Sequence, residues 1–135
     1  FNGAVNANTA EYTDLTDADI TVFDKAMISA IPFCRTRSKI GQTPRFYLRV
    51  ELANSTTFLK DLREPLRFVS DDDFRVRGID EFKVDINGLV KYLSKFEAKI
   101  EKLHYWKDEN LQLEGWDKLE NVFSDKMNLV DPTQE

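Results

Sequence analysis

Five cations stand within twenty residues of this chain with no acid among them: Arg35, Arg37, Lys39, Arg45 and Arg49, in the stretch IPFCRTRSKIGQTPRFYLRV, Ile31–Val50. Forked guanidiniums, an ammonium and the hydroxyls of Thr36 and Ser38 form a donor set suited to phosphate oxygens. Gly41 allows a ligand to approach the backbone closely, and the Gln42 amide can donate to or accept from a sugar or base. In a chain of formal net charge −5, so local an excess of positive charge marks an anion site, and phosphate is the usual anion. The plainer alternative is a solvated charged loop, because short basic runs are common.

The other chemically suggestive residues point to less. Asp71, Asp72 and Asp73 are carboxylates that hard cations favour, but three consecutive residues do not converge easily and no ladder of ligands flanks them. A solvated acidic loop is the simpler reading. His104 is the single histidine, with no Ser or Cys placed beside it by any motif, so nucleophilic catalysis is not indicated. Cys34 stands next to arginines that would lower a thiol pKa, yet it has no second cysteine and reads as a bystander. No phosphate-binding glycine loop, nucleophile elbow or pair of catalytic carboxylates is present. The chain therefore reads as a binder rather than an enzyme, with no cofactor and no metal.

The elements that must carry the basic stretch follow from periodicity. Thr16 and Asp19 have capping-box spacing, and Ile20, Phe23, Met27 and Ile31 then recur as a helical apolar stripe until Pro32. After a loop with Gly41 and Pro44, Arg45–Leu52 alternates without a break. Phe46, Leu48, Val50 and Leu52 form a core face, and Arg45, Tyr47, Arg49 and Glu51 a wet or ligand-facing one. On that second face a base could stack on Tyr47 while Arg49 holds a phosphate, as in sheet-based recognition of single-stranded RNA. The Gly-Phe-rich signature of an ordinary RNA-recognition motif is absent.

Phe1–Val5 reads as a strand and Asn6–Asp14 as a polar loop. Asn54–Thr57 reads as a turn, and the stretch to Val69 is mixed, with Pro65 breaking any long element. Glu81–Ile86 is a strand, Asn87 and Gly88 open an amphipathic helix with Leu89, Leu93, Phe96 and Ile100, and Lys102–Lys107 is a strand with Leu103 and Tyr105 opposite His104 and Trp106. Gly115–Ser124 is a last short helix, with Trp116, Leu119 and Phe123 inward, before a polar end. The expected fold is therefore α+β, of ferredoxin-like or RNA-recognition-motif-like order, an antiparallel sheet with two helices on one face in a single domain spanning 1–135.

With 135 residues, 41% of them hydrophobic, the chain has enough apolar surface for a core. The single cysteine excludes an internal disulfide, and no apolar run approaches the ~20 residues that span a bilayer. A cytoplasmic protein without membrane partners is the expectation. Asn54-Ser55-Thr56 matches a glycosylation sequon that such a compartment would leave idle. The first residue, Phe1, is not Met and heads a strand-like segment, which suggests the back portion of a longer protein whose upstream strands would complete a sheet.

The string LTDADITVFDKAMISAIPFCRTRSKIGQTPRFYLRVEL, Leu15–Leu52, with its central RTRSKIGQ and the P-R-x-Y-L-R-V strand, resembles the guide-RNA-binding backbone subunit of type I CRISPR interference (Cascade) complexes, nearest to subtype I-B. EFKVDINGLVKYLSKFEAKIEKLHYW resembles the same family's later strand, helix and strand, so the likeness covers most of residues 1 to about 106. The resemblance implies a non-catalytic subunit that polymerises along CRISPR RNA through an RNA-recognition-motif-like palm, displaying the guide for pairing with target DNA. Its implied partners are the guide RNA, target DNA by way of the guide, further copies of itself and other Cascade subunits. It implies Arg35, Arg37, Ser38 and Lys39 as guide-backbone residues, with Gln42 and Arg49 beside them. The chain departs from the family in its short length, which corresponds to a C-terminal portion, and in Cys34, where a small polar residue is expected. The alternative is a protein–protein module whose basic loop docks an acidic partner or a second copy.

Overall fold

The computed structural model describes residues 3–5, 12–33, 45–54, 56–70 and 82–133, with only the backbone described for 30–33. In chain order the elements are α1 (Asp17–Phe33), β1 (Phe46–Leu52), β2 (Arg67–Ser70), β3 (Phe82–Asp85), α2 (Asn87–Ser94), a 3-10 turn (Glu97–Lys99), β4 (Ile100–Lys107), β5 (Leu113–Glu114), α3 (Trp116–Val122) and β6 (Met127–Leu129).

The anticipated capping box opens α1. Thr16 N and Oγ1 both donate to Asp19 Oδ2 at 2.9 Å, and Asp19 N donates back to Thr16 Oγ1 at 3.2 Å, so orphan donors of the first turn are satisfied reciprocally. The helix runs one residue past Pro32. Its buried face is not the expected stripe: Asp24 and Ile28 are buried, whereas Phe23 and Met27 are 44% and 38% exposed. Ile31's side chain lies outside the described residues. The stripe and the buried face differ by part of a turn because Asp24, rather than an apolar residue, makes the strongest attachment to β1.

Among the described residues the strands form two three-stranded sheets, ordered β1-β4-β6 and β2-β3-β5. Each holds an antiparallel pair, β1 with β4 and β2 with β3, and a parallel pair, β4 with β6 and β3 with β5. Among the described residues the architecture is thus α+β with mixed sheets and the three helices α1, α2 and α3, in place of one antiparallel sheet with two helices. β2, β5 and β6 are short and lack clear alternation, which is why periodicity passed over them. Gly3–Val5, read as part of a strand, form none, and Phe1 and Asn2 lie outside the described residues.

β1 pairs with β4 over its full length, Phe46 opposite Lys107 through Glu51 opposite Lys102, and then shifts so that Leu52 meets Ile100. That bulge changes which face each residue takes, and it lets Ile100, at the wrong parity relative to Leu103, point inward beside it. Both are fully buried, as are Ile86, Leu89, Leu93 and Leu119. The inward residues of β1, Phe46, Leu48, Val50 and Leu52, pack on this cluster, as do Val84 of β3 and Met127 of β6. Both sheets therefore border the same core, closed by α2 and α3.

α3 starts at Gly115, whose φ of 101° lies in the left-handed region. A Cβ there would also stand 2.7 Å from Asn87 Oδ1 and 3.2 Å from Asn87 N. Backbone conformation and close approach to α2 both require glycine. Gly115→Ala should lower unfolding free energy by about 1–3 kcal/mol, read from the urea midpoint; an unchanged midpoint would contradict this account of the α2–α3 corner.

Candidate nucleic-acid interface

Two of the five cations of the basic stretch lie among the described residues, and each holds a carboxylate. Arg45 Nη1 donates to Asp108 Oδ2 at 2.7 Å while Asp108 N donates to Arg45 O at 2.8 Å, fixing the entry to β1 against the exit of β4. Arg49 grips Asp24 with both edges of its fork, Nε to Oδ1 at 2.7 Å and Nη2 to Oδ2 at 2.9 Å. Tyr47 adds a third bond, its hydroxyl donating to Asp24 Oδ1 at 2.5 Å. Tyr47 and Arg49 do share the second face of β1, as alternation predicted, but that face receives α1 and both polar tips converge on a single acid.

Asp24 is 4% exposed, and a buried carboxylate requires partners of this kind. Burial pushes its pKa up, but the hydrogen bonds from Arg49 and Tyr47 together with the Arg49 charge outweigh that, and the net position is below the ordinary carboxylate value. Burial and the Asp24 carboxylate together push the Tyr47 phenol well up. For Arg49, burial works against the charged form, the Asp24 bond and charge work for it, and the net shift is upward. Asp24 stays ionised, Tyr47 neutral and Arg49 charged.

The same face continues through β4. His104, opposite Arg49 in register, accepts at Nδ1 from Asn128 Nδ2 at 2.9 Å and donates from Nε2 to Glu51 Oε2 at 3.2 Å. This pairing fixes the neutral tautomer with its proton on Nε2. Burial and then the Arg49 charge depress its pKa, with Glu51 opposing. Both ring nitrogens are engaged, and neither faces a nucleophile.

Arg35, Arg37, Ser38, Lys39 and Gln42, together with Cys34 and the Asp71–Asp73 run, lie outside the described residues. The described ends of the basic stretch are the backbone of α1 at Phe33 and the start of β1 at Arg45. Among the described residues no three His, Cys, Asp or Glu side chains gather as a metal cluster. No helix there is long and apolar enough to cross a membrane. Sequence reasoning missed Asp24. Its signal was an acid four residues from both Ile20 and Ile28, on the apolar side of a helix, where a carboxylate needs a cation such as Arg49 on the adjacent strand.

The described scaffold is mixed α+β, and the basic stretch of the sequence runs between α1 and β1. The family model for CRISPR-associated protein Cas7 matches residues 1–87, and the chain belongs to that family. It is 34% identical over 119 residues to a protein of Haloferax volcanii (strain ATCC 29605 / DSM 3757) named CRISPR-associated protein Cas7, an alignment covering 87% of this chain and 35% of that relative. The chain thus spans about a third of the length of the curated relative it matches.

Two groups here make stability depend on pH in the same direction. His104 has a depressed pKa when folded, so below about 6.5 the unfolded chain takes up a proton that the folded one refuses. Asp24 is also depressed, so its contribution is present above about 3.9 and is lost as pH falls through its lower folded value. The urea midpoint should therefore begin to fall below about pH 6.5 and fall further in the carboxylate range. His104→Gln should flatten the upper limb and leave the lower one; an unchanged upper limb would contradict the neutral, half-buried His104.

Proposed function

We propose that the chain is part of a non-catalytic, guide-RNA-binding backbone subunit of a Cascade-type CRISPR complex and acts in the cytoplasm. Membership of the Cas7 family is the observation that carries this reading, and the basic segment it includes supplies the chemistry. Arg35, Arg37, Ser38 and Lys39 hold the guide backbone, with Gln42 beside them. Arg49 and Tyr47 serve that segment from the β1 face, where both now engage Asp24. Because Arg45 and Arg49 each neutralise a carboxylate, the phosphate-binding charge rests mainly on Arg35, Arg37 and Lys39.

The finer reading is an I-B-like subunit, of which this chain is the C-terminal portion, with β1, β4 and α1 contributing to an RNA-recognition-motif-like palm. The RTRSKIGQ segment and the alternating strand after it support this. Guide RNA, target DNA reached through the guide, further copies of the subunit and other Cascade subunits are the partners.

The alternative is a protein–protein module whose basic loop docks an acidic partner or a second copy; apart from that loop, Val22, Phe23 and Met27 leave apolar surface on α1 exposed at 65%, 44% and 38%. A backbone assembled on RNA needs both kinds of contact.

Replacing Arg35, Arg37 and Lys39 together by Ala should weaken binding of single-stranded RNA. It should also flatten the salt dependence by about 0.7 log–log units for each phosphate no longer neutralised, measured by fluorescence anisotropy across a salt series. A folded variant with an unchanged slope would remove these residues from the interface and favour the protein–protein reading.

A further inference from the structure

The chain on either side of the basic segment 34–44 is held with unequal firmness. At the segment's C-terminal end, Arg45 is held to Asp108 through side chain and backbone, at 2.7 and 2.8 Å, and β1 continues directly into the sheet. At its N-terminal end the tether is α1, and among the described side chains of that helix only Asp24 and Ile28 are buried. Ile20 is half-buried, and Val22, Phe23 and Met27 are exposed. One carboxylate of α1, Asp24, receives three hydrogen bonds from the sheet, from Tyr47 and Arg49.

Asp24 lies nine residues before the end of α1, about 14 Å along the helix axis, and Tyr47 lies two residues past Arg45. The contact thus ties together the two elements that flank the basic segment in the chain. Its direction is also well defined, since a bidentate fork plus a hydroxyl fixes a carboxylate plane as a single point charge would not.

We infer that Asp24, acting through Tyr47 and Arg49, is a positioning residue for RNA binding, clamping α1 onto β1 so that the basic segment between them starts from a fixed place. The inference rests on the RNA-binding reading above. It carries a sign that distinguishes it from simple electrostatics. Removing the negative charge of Asp24 makes the chain less acidic and frees Arg49, so a bystander acid would give equal or tighter RNA binding when removed. A clamp gives weaker binding, because the competent arrangement becomes a smaller fraction of the population.

The test compares the full 135-residue chain with Asp24→Asn, Asp24→Glu and the Arg35/Arg37/Lys39 triple-Ala variant. The probe is a single-stranded oligouridylate, titrated by fluorescence anisotropy over a salt series, with amide hydrogen exchange read in α1 and α2. Asp24→Asn should bind about fivefold more weakly, with a shallower salt slope and faster exchange confined to α1. Asp24→Glu, which keeps a carboxylate for Arg49, should retain the wild-type slope. Equal or tighter binding by Asp24→Asn, or unchanged exchange in α1, would overturn the clamp while leaving the triple-Ala effect, and so the RNA reading, in place. A wild type that binds no RNA would overturn that reading and the clamp's role with it. Should Asp24→Asn also loosen α2, Tyr47→Phe, which removes one bond and keeps the ion pair, carries the test with the same expected sign.

Discussion

A carboxylate taken out of water must be met by donors in fixed positions, and the seat of α1 follows from that constraint on Asp24. Its net value to stability is modest, since Coulomb attraction in such a pair largely offsets desolvation. Its value to geometry is larger. The acid makes three bonds to two residues on alternate positions of one strand, and no other rotation of α1 about its axis would satisfy them. The cost is visible on the same helix, where Phe23 and Met27, which would make an ordinary apolar stripe, are left partly in solvent.

β1 mediates between two environments. One set of alternate residues joins the apolar cluster closed by α2 and α3, and the other presents Tyr47, Arg49 and Glu51 to α1 and to His104 of β4. The core side gives the strand its rigidity, and the polar side uses that rigidity to orient α1. Arg45 and Asp108 pin the strand's first residue, so the basic segment emerges from a helix seated by an acid and enters a strand anchored by its core. The cations of Ile31–Val50 thereby divide into two kinds: Arg45 and Arg49 build the frame, and Arg35, Arg37 and Lys39 carry the charge proposed for RNA.

Much of this was legible in the sequence where a pattern was long or chemically specific. The Thr16–Asp19 box, the alternation of β1, and the amphipathic face of α2 with Leu89 and Leu93 were readable from spacing alone. Leu103 and His104 on opposite sides of β4 were equally legible, and so was the family likeness. The short strands β2, β5 and β6 were not, because β5 and β6 have only two and three residues, β2 shows no clear alternation, and their pairing is settled by partners distant in sequence. The seat of α1 was misread for another reason. Helical spacing identified Phe23 and Met27 as inward, but the choice of face depended on Arg49, which no count of apolar residues includes.

The most direct measurement is a carbon-13 NMR titration of the Asp24 side-chain carboxyl in the folded chain. The account predicts that it remains ionised below the ordinary carboxylate value of about 3.9, with the Tyr47 and Arg49 side-chain signals shifting together with it when it finally titrates. A carboxyl that titrates at or above that value, or independently of those two residues, would contradict the buried, doubly held acid on which the position of α1 depends.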